Sequence, residues 1–282
     1  MKFLIIGDLH GKKPKIHFKD FDAILAPGDF CSDKARKFMF KALSESIKNS
    51  KSKMEWYDLL GKARSKYEIE KSLADGRKIL EKLNSLGKPV YLVPGNWDWT
   101  AYKKSKWAYL KNDHYKGLIK GLDNIVDLHN KIKTFGDYDL IGYGISSGPE
   151  YPQHDLKQFS SKKLKSIKKS YESKLKKISS LFSKAKKPVI FLSHNVPFNT
   201  KLDKITDKSS PRYGYHFGSV LARDAIKKHK PLVCIGGHMH EHFGRDKLGS
   251  TVIINAGFGP KVNTMLEIQG NKIKKLLFKR IK

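Results

Sequence analysis

Cysteine is scarce in this sequence, which contains two among its 282 residues, Cys31 and Cys234. Two thiols are too few for a disulfide framework or a thiolate zinc site, so both kinds of scaffold are excluded. The same scarcity is typical of proteins that work in a reducing compartment. We therefore expect a cytoplasmic protein.

Long apolar runs are also missing. The first run, residues 3–6, is too short for the core of a signal peptide. No run approaches the roughly 18 apolar residues that a membrane span requires. The sequence therefore predicts a chain that is neither secreted nor bound to a membrane.

Acidic residues are few, 27 against 57 lysines and arginines, which gives a net charge of +30. Such a balance favours attraction to polyanions such as nucleic acid. Only seven of the basic residues are arginine, the residue on which specific readout of phosphates and bases mostly relies. A charged, solvated surface therefore explains the lysines equally well. The densest stretch, residues 162–187, has the apolar spacing of an amphipathic helix with a cationic outer face.

Short apolar runs that end in Gly, Pro or His recur along the chain and predict buried strands. Helical patterns such as residues 68–87 lie between several of them. From residue 251 onward, three runs predict strands of an antiparallel end to the fold, with a tight turn at Gly270-Asn271. The runs that predict the earlier strands are residues 2–7, 21–28, 89–95, 138–144, 188–194 and 231–238.

These patterns predict a mixed α/β fold in which one sheet packs on another and helices cover the outside. The apolar fraction of 39% is enough for the core of a single domain over residues 1–282. Residues from about 31 to 66 do not fit the alternation of strands and helices. We expect them to form a helical insertion.

Polar residues gather where the apolar runs stop, and loops at the carboxyl ends of strands are where α/β proteins build their sites. Taken singly, each has an ordinary explanation as a turn, cap or core residue. Together they supply two carboxylates, one amide and four imidazoles, nearly all beside glycine. Oxygen and nitrogen donors without thiolate suit manganese, iron or zinc rather than calcium or copper. The candidate metal ligands are Asp8, His10, Asp29, Asn96, His194, His238 and His240.

Seven donors are too many for one tetrahedral ion with an open position, but they suit two ions that share a carboxylate. With two divalent ions, two aspartates and a bridging hydroxide, the centre keeps a charge of about +1. That charge suits an anionic phosphate group, and the ions would activate the water that attacks it. The sequence therefore predicts hydrolysis of a phosphoester by a metal-bridging hydroxide.

These residues resemble the motifs of the calcineurin-like metallophosphoesterase superfamily. The superfamily pattern D-x-H, GD, GN, H and G-H-x-H is met in order by Asp8-x-His10, Gly28-Asp29, Gly95-Asn96, His194 and Gly237-His238-x-His240. Later segments look like those of predicted phosphoesterases related to bacterial cyclic-nucleotide phosphodiesterases.

The resemblance implies a four-layer αββα sandwich of two mixed sheets flanked by helices. It also implies two divalent ions with Asp29 as the bridge, manganese being the first expectation and iron, zinc, nickel or cobalt the alternatives. The implied ligands are Asp8, His10, Asp29 and His240 for one ion, and Asp29, Asn96, His194 and His238 for the other.

One position departs from the phosphatase-type pattern, in which a histidine after the ligand asparagine assists the leaving group and the following acid orients it. Here the two positions hold Trp97 and Asp98. Indole cannot do acid–base work, so we expect slow turnover of alkyl monoesters. His216 is the candidate replacement, with Arg212 as a candidate phosphate-binding residue. Trp97 is an alternative surface for stacking on a base or an aryl group.

The sequence therefore allows three alternative functions. The first is a phosphodiesterase acting on small, nucleotide-like or aryl diesters. The second is a nuclease that uses the basic helix to follow a phosphate backbone. The third is a scaffold that binds metal without chemistry, although scaffolds are expected to lose ligands and this chain keeps every one.

Overall fold

The computed structural model of the protein describes residues 1–49, 52–146, 150–151, 153, 159–208, 210 and 213–281. The strands in this part of the chain are β1 (Lys2–Ile5), β2 (Ala23–Ala26), β3 (Val90–Leu92), β4 (Ile125–Asp127), β5 (Ile132–Phe135), β6 (Tyr138–Tyr143), β7 (Val189–Asn195), β8 (Val233–Gly237), β9 (Gly244–Leu248), β10 (Thr251–Asn255), β11 (Val262–Gln269) and β12 (Lys272–Arg280). The α-helices are α1 (Arg36–Lys48), α2 (Trp56–Leu60), α3 (Lys62–Asn84), α4 (His114–Ile119), α5 (Ser161–Phe182) and α6 (Val220–His229), and a 3-10 turn spans Ala108–Lys111.

The strands form two six-stranded sheets within the described residues. The first has the order β12-β11-β1-β2-β3-β4, and the second has the order β5-β6-β7-β8-β10-β9. Both are mixed, because β1 pairs in parallel with β2 and antiparallel with β11, while β10 pairs in parallel with β8 and antiparallel with β9. Each apolar run that predicts a strand forms one.

The two sheets pack face to face over an apolar layer to which both contribute. Fully buried side chains in this layer include Phe3 and Leu266 from the first sheet and Leu192 and Ile235 from the second. On the outer face of the first sheet, α3 and α4 pack over a second cluster, and α5 and α6 pack over a third on the outer face of the second sheet. The predicted αββα sandwich of two mixed sheets is therefore confirmed.

The antiparallel end predicted from residue 251 onward is correct for two of its three strands. β11 and β12 form a hairpin whose turn lies at Gly270-Asn271. β10 instead runs parallel to β8, with Val252 opposite Val233. β9, a strand with alternating exposure and no strong apolar run, supplies its antiparallel neighbour. Whether a strand pairs in parallel or antiparallel depends on which strand lies beside it in the fold. The apolar run of β10 does not encode that choice.

The segment expected to be an insertion, about 31–66, contains α1, α2 and the start of α3. α2 begins with a capping box in which the side chains of Glu55 and Asp58 bond to each other's backbone N–H groups. Trp56 and Tyr57 are buried in an aromatic cluster that also contains Trp99 and Trp107. This packing explains why a segment without a β-strand is ordered against the body of the fold.

The basic helix α5 begins at Ser161, with the side chain of Ser160 accepting the N–H of Lys163, and ends at Phe182. It is therefore shorter at its end than the predicted stretch of 162–187. Ile178 and Phe182 are buried, and its eight lysines are all exposed. Within the described residues, none of the helices has the length and apolar character needed to cross a bilayer.

The apolar layer between the sheets predicts that alanine substitutions of two leucines on adjacent strands destabilise the protein to different extents. Leu266 on β11 is fully buried in that layer, whereas Leu277 on β12 is 39% exposed. We expect Leu266→Ala to lower the free energy of unfolding by about 2–5 kcal/mol, because it leaves a cavity between the sheets. Leu277→Ala is the matched control and should cost less than about 1 kcal/mol. Urea unfolding measures both, and equal losses would contradict this packing.

Candidate metal centre

The predicted ligands come from loops and strand ends of both sheets. Asp8 and His10 follow β1, Asp29 follows β2 and Asn96 follows β3, and these three strands are parallel neighbours in the first sheet. In the second sheet, His194 is near the end of β7, and His238 and His240 follow its parallel neighbour β8. Because the carboxyl ends of parallel strands meet at one edge of a sheet, the two edges bring all these side chains together.

One cluster consists of Asp8, His10 and His240, each of which offers a ligand atom within 4.8 Å of the others. The Nε2 atom of His240 lies 3.5 Å from Oδ1 of Asp8 and 3.1 Å from Nε2 of His10. Two imidazole nitrogens and a carboxylate oxygen therefore point toward a common centre. Such convergence is the geometry of a cation site.

A second cluster consists of Asp29, His194 and His238, with ligand atoms again within 4.8 Å of one another. Nε2 of His194 lies 3.6 Å from Oδ2 of Asp29 and 2.9 Å from Oδ1 of Asn96. Asn96 thus adds an amide oxygen to this cluster. The residues that the family resemblance implies as ligands of the second ion therefore lie together.

Asp29 connects the two clusters. Its Oδ2 atom is 3.7 Å from Nε2 of His10 and 3.6 Å from Nε2 of His194. The side chain is almost fully buried, at 1% exposure. The position between the clusters is the one that the resemblance to metallophosphoesterases assigns to a bridging carboxylate.

The chemistry of these residues fits divalent cations. Oδ1 of Asp8 is buried and has no hydrogen-bond partner among the described residues, which is costly for a carboxylate oxygen unless a cation lies beside it. Nδ1 of His194 lies 2.7 Å from the carbonyl oxygen of Pro27 and must donate to it, so its Nε2 atom presents a lone pair. These residues therefore offer oxygen and nitrogen lone pairs of the kind that borderline divalent ions bind.

Charge also favours a cation at this position. Burial, followed by the nearby charges of Asp98 and Asp8, raises the pKa of Asp29 well above its ordinary value. Burial, with His240 close by, lowers the pKa of His10 to about 4. Burial likewise lowers the pKa of His238 well below its ordinary value. Neutral imidazoles are ready to ligate, and an adjacent cation offsets the cost of the buried carboxylate charge.

Four of the candidate ligands have backbone conformations that residues with a side chain rarely adopt. The φ angles are 49° for Asp8, 46° for His10, 58° for Asp29 and 68° for His238. Left-handed backbone at non-glycine residues costs free energy and concentrates at functional sites. The strain at four of the seven candidates supports a shared role for them.

Two glycines allow the ligand loops to approach each other. A Cβ atom on Gly95 would lie 2.0 Å from Oδ1 of Asp29, and one on Gly237 would lie 2.1 Å from Oδ2 of Asp8. Both carboxylates also accept backbone N–H groups in this region, from Trp97 and His238 respectively. Any side chain at either glycine would therefore displace a ligand carboxylate.

Asp98, which the sequence suggests as a catalytic residue, acts at the site through the backbone. Its fully buried carboxylate accepts four backbone N–H groups, at distances between 2.7 and 3.1 Å. The donors are Asp29, Phe30, Cys31 and Gly95. With both oxygens used in this way, the geometry supports a positioning role for Asp98 rather than direct contact with a reacting group.

The three remaining residues singled out in the sequence have different surroundings. Nδ1 of His216 lies 2.7 Å from Oδ1 of Asp203, and its ring is 32% exposed. Arg212 lies outside the described residues. The side chain of Trp97 is partly buried and packs against the same aromatic cluster as Trp56 and Tyr57. Its stacking on a substrate stays a prediction.

Sequence reasoning missed Asp203, the partner of His216. The two residues are thirteen positions apart, and no periodicity or motif links them. A short polar run, Asn199 to Asp203, reads as an ordinary loop, and only the folded chain brings its carboxylate to the histidine. Asp33 was missed in the same way, with Oδ2 at 3.8 Å from Nδ1 of His10.

Comparison with known proteins agrees with this geometry. The sequence profile of the calcineurin-like phosphoesterase family matches residues 1–242. The chain therefore belongs to the calcineurin-like phosphoesterase family, whose members are metal-dependent hydrolases. The resemblance identified from the sequence motifs is confirmed.

Similar proteins support the same fold. The uncharacterised protein MJ1162 of Methanocaldococcus jannaschii is 24% identical over 264 residues, which cover 90% of this chain and 87% of that protein. One similar crystal structure has a TM-score of 0.64 at 17% identity and covers 100% of this chain and 99% of its own. The protein TT1561 of Thermus thermophilus has a TM-score of 0.51 at 14% identity with the same coverage.

The close approach at Gly95 predicts that an added methyl group weakens metal binding. We expect Gly95→Ala to lower the affinity for Mn²⁺ by about 10- to 100-fold, because Asp29 must move away from the new Cβ atom. Gly117→Ala is the matched control, since no atom lies within 4 Å of its added Cβ in helix α4. Titration calorimetry of the metal-free protein measures both. Unchanged affinity in Gly95→Ala would show that Asp29 does not bind the ion.

Proposed function

We propose that this protein hydrolyses phosphodiesters, or phosphomonoesters with activated leaving groups, with two divalent ions held by the two clusters. The observation that carries the proposal is the position of Asp29, whose Oδ2 atom lies 3.7 Å from Nε2 of His10 and 3.6 Å from Nε2 of His194. A carboxylate shared between two sets of imidazoles is what two neighbouring ions require.

Each ion has a complete set of protein donors in this proposal. Bound divalent ions supply Lewis-acid activation of water and neutralise charge on phosphoryl oxygens. Nitrogen and oxygen donors without sulfur favour manganese, with iron, zinc, nickel and cobalt as alternatives. The proposed ligands are Asp8, His10, Asp29 and His240 for one ion, and Asp29, Asn96, His194 and His238 for the other.

The protein's own groups prepare this centre for an anionic substrate. The Nδ1–H group of His194 donates to the carbonyl of Pro27, which fixes the tautomer that presents Nε2 to an ion. The net charge of +30 raises the local concentration of phosphate anions. Because the indole of Trp97 cannot act as a general acid, the substrates best suited are diesters with good leaving groups, such as nucleotide-like or aryl diesters.

The proposed setting is the cytoplasm. Cys31 and Cys234 are both buried free thiols rather than a disulfide. Free thiols are the ordinary state of cysteine in a reducing compartment, which supports this location.

The proposal predicts that Asp29→Asn abolishes hydrolysis. With bis(4-nitrophenyl) phosphate and added Mn²⁺, we expect the rate to fall at least about 100-fold, because removing the shared negative charge disrupts both ion sites. Asp137→Asn, in an exposed turn between β5 and β6, is the control and should leave the rate unchanged. If the wild-type protein hydrolyses no bis(4-nitrophenyl) phosphate with any of the five metals, the result would favour the scaffold alternative.

A second candidate function, cleavage of DNA or RNA, has an observation of its own in α5. The helix carries eight exposed lysines and one glutamate. Lys162, Lys165, Lys169 and Lys176 are spaced three, four and seven residues apart and therefore lie on one face of the helix. Ile178, on the opposite face, is buried against the sheet. A lysine stripe directed to solvent is suited to a phosphate backbone.

Charge reversal tests this second candidate. We expect the triple substitution Lys165→Glu, Lys169→Glu and Lys176→Glu to weaken binding of single-stranded DNA or RNA about 10-fold or more at low salt, with small-diester turnover unchanged. The matched control reverses Lys71, Lys78 and Lys82, which are exposed on one face of α3. Filter binding and gel cleavage assays measure the effect. If both triple variants lose the same affinity for nucleic acid, the binding depends on net charge alone and not on α5.

A further inference from the structure

Asp203 and His216 form a buried-carboxylate and imidazole pair outside the two metal clusters. Asp203 is fully buried, and its Oδ1 atom lies 2.7 Å from Nδ1 of His216. The same carboxylate accepts the backbone N–H groups of Asn199, Thr200 and Gly218, at 3.0, 2.8 and 2.9 Å. Because these contacts make the carboxylate an acceptor, Nδ1 of His216 carries the proton that it shares with Asp203. The second ring nitrogen, Nε2, is thereby left for another partner.

The loop that carries this pair is tied to the ends of both strands that bear histidine ligands. The side chain of Asn195, the residue after His194, donates through Nδ2 to the carbonyl oxygen of Phe217 at 2.9 Å. Lys204 pairs with His216 in an isolated antiparallel bridge. The carbonyl oxygen of Lys204 in turn accepts from Nε2 of His242, at 2.5 Å, two residues after His240.

A further contact joins the same two loops. Both the backbone N–H and the hydroxyl of Thr206 donate to Oε2 of Glu241, the residue that follows His240. His216 therefore sits in a loop fixed on one side to the end of β7 and on the other to the residues after β8. This places the pair beside the strand ends from which His194 and His240 reach the metal clusters.

Other histidines of the described chain have different roles. His129 is half-buried, and both of its ring nitrogens are occupied, Nδ1 by the N–H of Gly144 and Nε2 by the amide of Asn130. His114 bonds to the carbonyl of Tyr109. Among the described residues, His216 is the imidazole that combines a carboxylate within 3 Å of Nδ1 with a partly exposed ring outside the clusters.

We propose that His216 is the proton donor to the leaving group and that Asp203 is the positioning residue that holds its ring. The inference rests on the proposed phosphoesterase function and supplies the acid that Trp97 cannot. As water oxygen forms a new bond to phosphorus, the bond from phosphorus to the leaving oxygen breaks and its electron pair goes to that oxygen. The proton on Nε2 of the imidazolium moves to the same oxygen, giving an alcohol and a neutral imidazole. The proton lost by the attacking water passes to solvent. The neutral ring of His216 then takes up one proton from solvent, so the protein ends each turnover as it began.

Asp203 has two effects in this arrangement. Its contact with Nδ1 holds the ring nitrogen that carries the shared proton, and the same contact fixes the direction of Nε2. The backbone N–H groups that it accepts hold the carboxylate itself in place. Asp203 does not touch substrate, so its contribution passes through His216.

Leaving-group dependence tests the pair in the metal-loaded protein. We compare methyl phenyl phosphate, whose leaving oxygen needs a proton, with methyl 4-nitrophenyl phosphate, whose leaving group departs as a stable anion. His216→Ala should lower turnover of the phenyl ester at least about 100-fold and that of the nitrophenyl ester no more than about threefold. Asp203→Asn should change the two esters in the same unequal way. His17→Ala, at an exposed histidine, is the control and should affect neither.

A spectroscopic measurement on the metal-free protein gives a second readout. The ring proton between Nδ1 of His216 and Asp203 should produce a downfield NMR signal that is absent in His216→Ala and shifted upfield in Asp203→Asn. Equal loss on both esters, or no loss on either, would overturn the proposal. If the wild type hydrolyses neither ester, the phosphoesterase function itself fails. In that case the NMR signal still tests the hydrogen bond between Asp203 and His216. Absence of the signal from the wild-type protein would exclude that hydrogen bond.

Discussion

The candidate metal centre depends on the buried carboxylate of Asp98, whose hydrogen bonds join the turn after β2 to the turn after β3. Its four backbone hydrogen bonds hold Asp29 at the point where Gly95 leaves room for it. Without that acceptor, the same N–H groups would be buried with no partner, which is costly in a protein interior. The position of the bridging candidate is therefore set by a residue that lies outside both clusters.

The arrangement of the two clusters lowers the stability of the folded chain, and bound ions would offset this cost. Oδ1 of Asp8 is buried without a hydrogen-bond partner among the described residues, and four candidate ligands have strained backbone. Burial also works against the charge of Asp29. Each of these features disfavours the folded chain by itself, and cations bound in the two clusters would reverse the electrostatic ones. The fold tolerates the strain because the two sheets and their helices provide a large apolar core.

Local patterns were enough to predict nine of the twelve strands in the described residues and the seven candidate ligands, because apolar runs and the polar residues that end them are contiguous in the sequence. The short strands β4, β5 and β9 have no such run and were not predicted. Contacts between distant residues could not be predicted in this way. The parallel pairing of β10 with β8, the bonds from Asp98 to residues up to 69 positions away, and the contact between Asp203 and His216 all arise from the folded chain. Asp98 illustrates the limit. Its position in the motif indicates an acid that orients a catalytic histidine, whereas its contacts hold the backbone of the two turns.

The candidate ligands are divided between two sheets, with Asp8, His10, Asp29 and Asn96 on one and the remaining histidines on the other. The separation of the two halves is thus determined by the thickness of the apolar layer between the sheets. Repacking that layer with larger or smaller side chains changes the spacing of the donors while every donor stays the same. Substitutions among the buried residues of this layer are therefore a route by which ion preference or reaction rate can change without any change in the ligands.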